Sequence, residues 1–160
     1  MSSQLNFEVI PLAEVPIVKS PSVPNGQDRH VVLIVDDERV IADTLSIILS
    51  KSGYTVFTAY DGETALDIAK VIPPELLITD VVMPEMTGIE LAIALTKAVP
   101  DCKVLLFSGQ AATRPLLDKA ISAGYDFSIM AKPVHPTDML KRVSESLSAL
   151  EMSAGPVVAD

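Results

Sequence analysis

The sequence predicts an α/β domain built as a doubly wound, five-stranded parallel sheet with helices on both faces. Three observations carry the prediction. Short aliphatic runs alternate five times with segments whose apolar residues recur every three or four positions. The runs are continuously apolar, as strands buried on both faces read. The connections are short, and right-handed crossovers between parallel strands place the intervening helices over the sheet.

The first strand is expected at Val31 to Val35, followed by a helix starting near Glu38 whose stripe is Val40, Ile41, Leu45, Ile48 and Leu49. Tyr54 to Ala59 reads as the second strand. Asp61-Gly62-Glu63-Thr64 reads as the capped start of a helix through Ile72, which Pro73-Pro74 stops. The third strand is Leu76 to Thr79. Its helix carries the stripe Leu91, Leu95, Ala98 and Val99. Lys103 to Phe107 forms the fourth strand, and a helix over Arg114 to Ala123 follows, with Pro115 in its first turn and Gly124 as terminator. Phe127 to Ala131 is the fifth strand, and Leu140, Val143, Leu147 and Leu150 mark the last helix.

This assigns the folded domain to residues 30–149 and a flexible tail to 150–160. Residues 1–29 carry Pro11, Pro16, Pro21 and Pro24, spaced so that no regular helix fits, and read as a Pro-rich, partly disordered extension. The extension is nonetheless apolar at Phe7, Val9, Ile10, Leu12, Val15, Ile17 and Val18. A strand docked on the domain or on a partner is its second reading.

A length of 160 residues suits one core, and 49% apolar against 21% charged residues indicates folding with an aliphatic interior. The net charge of −9 opposes binding to a phosphate backbone, which needs clustered Lys and Arg, so no nucleic-acid partner is expected. Cys102 is the single cysteine and reads as a packing residue in a reducing compartment. No apolar stretch approaches the roughly 20 residues of a membrane span. A cytoplasmic protein without membrane contact is the expectation.

Open α/β sheets bind ligands outside the carboxyl ends of their strands. There the first strand leaves Asp36 and Asp37, the third Asp80, the fourth Ser108 and the fifth Lys132. Convergent carboxylates raise one another's pKa unless a cation lies among them, and their hard oxygens suit Mg²⁺. A Lys offers a point charge to a phosphoryl oxygen and a hydroxyl donates to another, so the set reads as a phosphoryl-transfer site. Asp80 is the expected nucleophile, since an ionised carboxylate attacks phosphorus without a general base. Asp36 or Asp37 also suits the cap of the following helix. Met83 and Met86 read as packing residues, Thr87 as a candidate for tuning access, and His30 and His135 as surface residues outside any relay.

Taken in order, Asp36-Asp37, Asp80 with Met83-Pro84 and Gly88, Ser108, and Lys132-Pro133 make residues 30–149 resemble a response-regulator receiver domain of two-component signalling. The resemblance implies the flavodoxin-like receiver fold with strand order 2-1-3-4-5. It also implies Mg²⁺ held by Asp37, Asp80 and the Val82 carbonyl, with Asp36 acting mostly through water, and a cis bond before Pro133. The implied partners are a sensor histidine kinase or histidine phosphotransfer protein and a downstream protein target; a homodimer is compatible with the same reading.

Three departures from the family pattern stand out. Ile129 occupies the usual aromatic position three residues before the Lys, with Phe127 the candidate replacement; Gly109 follows the hydroxyl where Ala is usual; and no effector domain is expected after the last helix, so output passes through protein contact. A stand-alone, phosphorylated receiver is the leading expectation and an adaptor whose output ignores phosphorylation the alternative. A phosphatase of dehalogenase type is disfavoured, since its second acid would fall at Val82.

Overall fold

The computed structural model describes residues 29–109 and 113–153. The expected extension, Arg29 apart, and the tail beyond Ser153 lie outside them. Five strands and five helices alternate: β1 Val31–Val35, α1 Arg39–Lys51, β2 Thr55–Ala59, α2 Gly62–Val71, β3 Leu76–Asp80, α3 Gly88–Ala98, β4 Lys103–Ser108, α4 Thr113–Ser122, β5 Ser128–Ala131 and α5 Pro136–Ser153. All pairings are parallel and the sheet order is β2-β1-β3-β4-β5, the predicted doubly wound topology.

Alternation of side chains along the strands divides the core in two. One face gathers Leu33, Leu77, Leu106, Leu91 and Leu95 beneath α2, α3 and α4; the other gathers Ile34, Ile78, Leu105, Leu49, Met139 and Val143 beneath α1 and α5. Every residue of β3 is buried, as its unbroken apolar run requires. Met83 and Met86 pack with the first cluster, and Cys102 is buried with its thiol pushed up to about 12 by that burial, so both packing assignments hold.

Boundaries move where a backbone group finds another partner. Tyr54 falls outside β2 because its N–H donates to the Leu49 carbonyl at the end of α1 (3.2 Å). β3 and β4 each gain one residue, since Asp80 pairs with Phe107 and Ser108 with Ala131. Asp61 caps α2 as predicted, accepting from Thr64 N at 2.7 Å, and this bond holds its carboxyl below the usual range. Gly124 ends α4 at φ +94°, where Tyr125 N–H reaches back to the Ala120 carbonyl (2.9 Å).

The α1 stripe needs one correction: Val40 is 79% exposed, and the buried residues of that helix are Ala42 and Leu49. In α3, Ala98 is likewise exposed while Leu91 and Leu95 are buried. His30 is half-buried rather than superficial and pairs through Nδ1 with Glu75. No helix among the described residues is long and apolar enough to cross a membrane.

Candidate functional site

The site sits where β1, β3 and β5 end. Asp36 follows the last residue of β1 and is almost wholly buried, Asp80 closes β3 and is 8% exposed, and Asp37 is exposed beside them. One carboxylate oxygen from each lies within 4.8 Å of the others. Asp36 also fulfils its capping expectation, with Oδ1 accepting from Glu38 N at 2.9 Å ahead of α1.

Lys132, one residue past β5, reaches this cluster from the sheet edge. Its Nζ lies 3.2 Å from Asp36 Oδ2 and 3.4 Å from Asp80 Oδ2, so one ammonium bridges two buried carboxylates. The Lys132–Pro133 bond is cis. Burial raises the Asp80 pKa, opposed by the Lys132 charge and reinforced by Asp36. Burial alone would lower the Lys132 pKa, but the charges of Asp36 and Asp80 outweigh it and the net shift is upward. The pair of charges is therefore mutually dependent: without Lys132, two carboxylates would share a desolvated site.

The loop after β3 is held by backbone geometry. Val81 N donates to the Phe107 carbonyl (3.1 Å) and Gly88 N to the Val81 carbonyl (2.8 Å), folding residues 81–88 back over the strand end. A Cβ on Gly88 would stand 1.9 Å from the Asp80 carbonyl oxygen, so only glycine fits there. Sequence reasoning marked Gly88 as part of a pattern without seeing this contact. Within the loop Val82 has an exposed side chain, while Met83 is buried. Thr87 closes a capping box with Glu90: Thr87 Oγ1 accepts from Glu90 N (3.1 Å) and Glu90 Oε1 from Thr87 N (3.2 Å). The residue proposed to tune access thus starts α3.

Ser108 is half-buried at the end of β4, and its carbonyl accepts from Lys132 N at 2.9 Å, tying the two strand ends together. Gly109 lies against Lys132; a Cβ there would meet Lys132 Cβ at 3.5 Å, ordinary contact distance. Phe127 does not replace the aromatic missing at Ile129. It precedes β5, at the end of that strand opposite Lys132, and stacks on Tyr125 with ring centroids 5.7 Å apart, against the first core cluster. Ile129 is 37% exposed on β5, its carbonyl accepting from Arg142 Nη2 (3.1 Å). Sequence analysis gave Arg142 no part; a basic residue on α5 at this distance in sequence carries no local signal.

Beside Lys132 a largely apolar cleft of about 450 Å³ opens between α1 and the segment leading into α5.

Comparison with known proteins agrees with this geometry. A family model described as response regulator receiver domain matches residues 32–144. The response regulator receiver protein CpdR of Brucella abortus is 35% identical over 118 residues, 74% of this chain and 97% of that protein. PhoP of Bacillus subtilis, an alkaline phosphatase synthesis transcriptional regulatory protein, is 35% identical over 125 residues, 77% of this chain but 50% of its own length. Among solved structures, a CheY-like receiver domain protein of Methanospirillum hungatei superposes with a TM-score of 0.71 at 30% identity, covering 78% of this chain and 98% of that one.

Proposed function

Since the chain belongs to the response-regulator receiver family, we propose that Asp80 accepts a phosphoryl group from the phosphohistidine of a sensor kinase or phosphotransfer protein. The observation that supports this most is the placement of Asp80: a carboxylate at the end of a fully buried strand, within reach of Lys132 and two further carboxylates. An Asp80 Oδ atom attacks phosphorus, the P–O bond forms as the P–N bond breaks, and the departing imidazole nitrogen keeps the electron pair. Lys132 Nζ exchanges its Asp80 partner for a phosphoryl oxygen, and the Ser108 hydroxyl donates to a second.

Three carboxylate oxygens in a cluster this tight fit a hard divalent cation, with Asp36, Asp37, Asp80 and the Val82 carbonyl as its holders. Mg²⁺ there would offset the negative charge of the phosphoryl group. The chain itself supplies the placement. Gly88 and Val81 fix the strand end, Asp36 and Lys132 hold each other in position, and Asp80 is left 8% exposed at the mouth of the sheet.

A small phosphodonor such as acetyl phosphate should label the full chain when Mg²⁺ is present and not when it is chelated. Retention of label by Asp80→Asn would remove the nucleophile from this residue. Output would pass through protein contacts, with phosphorylation shifting a conformational equilibrium. Ile129 favours a second reading, an adaptor in which that shift does not occur. Amide exchange with and without beryllofluoride separates the two: slowed or quickened exchange over residues 113–140 supports the switch, and unchanged exchange there supports the adaptor.

A further inference from the structure

The cleft beside Lys132 has an unusual lining for a site this close to four charges. One wall is α1, through Val40, Ile41, Thr44 and Ile48; the other is Pro133 and Val134. Val40 stands 79% exposed on its rim, a large apolar side chain turned to solvent. The polar groups in the lining are already engaged. Thr44 Oγ1 donates to the Val40 carbonyl of its own helix (2.6 Å), and Lys132 is committed to Asp36 and Asp80. Nothing in the cleft asks for a polar ligand. Neither wall is a sheet edge, since those are β2 and β5, so an occupant cannot be held by ladder hydrogen bonds.

The chain carries a segment with matching properties. Phe7 to Val18 contains Val9-Ile10-Pro11-Leu12 and Val15-Pro16-Ile17-Val18, apolar residues interrupted by prolines, which have no N–H to donate and disfavour a helix. Such a segment recognises apolar grooves through side chains rather than backbone pairing. It precedes the family match, which starts at residue 32, and 118 residues of this chain already account for 97% of the CpdR relative. The segment is an addition to the receiver.

Reach is sufficient. The chain enters β1 at the end of the sheet opposite the site, and β1 is five residues long, about 17 Å. Residues 19–28 span up to about 33 Å when extended, enough to return past β1 to the cleft.

We propose that Phe7–Val18 docks in the cleft between α1 and Pro133-Val134, forming an intramolecular cover on the face that flanks Lys132. The proposal does not depend on phosphoryl transfer, and its test reads position rather than activity. A nitroxide is attached to Glu14→Cys in the full chain; Cys102, buried and with its thiol at about 12, does not compete for the reagent. Amide signals of α1 and Val134 should broaden while those of α3, on the opposite face of the sheet, stay sharp. Val40→Asp, an exposed position where folding is not at stake, and Ile10→Asp on the segment should each lower the docked population about tenfold. Equal broadening of α1 and α3, or broadening at α1 that both variants leave unchanged, overturns the proposal. So does broadening that requires a spin-labelled chain to be mixed with a separate isotope-labelled one, which would make a second copy the occupant.

Discussion

β3, which delivers Asp80, is buried at all five residues, whereas β5, which delivers Lys132, buries only Met130. The first lies mid-sheet and is paired on both sides; the second is an edge strand paired only with β4. The acidic half of the site is thus positioned by packing and by a backbone clamp at Gly88. The basic half is positioned by charge: two ion pairs reaching inward, and one backbone bond from Lys132 to Ser108. Packing resists displacement in all directions, while an ion pair is released once another anion takes its place. Under the proposed function, a phosphoryl group on Asp80 would be such an anion. The β4–β5 edge would then be the part that responds, and the β1–β3 centre the part that stays fixed.

The strongest way to break this comparison is to remove equal volume from both strands. Leu77 is wholly buried and Ile129 is 37% exposed. Leu77→Ala should cost about 2–5 kcal/mol in urea unfolding, and Ile129→Ala about 1 kcal/mol or less. Similar losses would mean that the edge strand is as firmly packed as the centre.

A sterically matched pair sharpens the contrast at the loops. Gly88→Ala places a methyl 1.9 Å from the Asp80 carbonyl oxygen, a backbone atom that cannot turn aside. A loss of about 1–3 kcal/mol is expected, with slower acetyl phosphate labelling of Asp80 as its carboxylate shifts. At Gly109 the same methyl meets Lys132 at 3.5 Å. Gly109→Ala should stay within about 0.5 kcal/mol of the parent in thermal or urea melts.

These two pairs also show what the sequence made legible. Strand identity and the convergence of Asp36, Asp37 and Asp80 could be read, because an apolar run ending in Asp is visible without coordinates: Val31 to Asp37 and Leu76 to Asp80 fall where expected. The apolar stripe of α1 was read less well. Val40 lies five residues before Leu45 and nine before Leu49, so at about 100° per residue it falls on the far side of α1 from them and is left in solvent. Distance-dependent facts were invisible. That Lys132 pairs with both Asp36 and Asp80, that Gly88 touches a carbonyl, and that Phe127 is drawn into a stack with Tyr125 at the far end of β5 all depend on residues brought together only by folding. Spacing identifies candidates; it does not say which already have partners.

The smallest effect expected is electrostatic, and it bears on how far packing has overruled charge at Asp80. Its carboxyl titrates above the ordinary value of 3.8 because burial penalises the ion, with Lys132 opposing and Asp36 adding to the shift. Below pH 3.8 the group is protonated in both folded and unfolded chains and contributes nothing. As pH rises, the unfolded chain releases its proton first, so stability falls, and the full cost is present once the folded carboxyl has ionised. Asp80→Asn removes that ionisation. In metal-free buffer the variant should therefore unfold at higher urea than the parent at pH 7, with the gain shrinking as pH is lowered and vanishing below 3.8. A variant less stable than the parent at pH 7 would show that the Lys132 pair outweighs desolvation. The acidic half of the site would then be held by charge as much as the basic half.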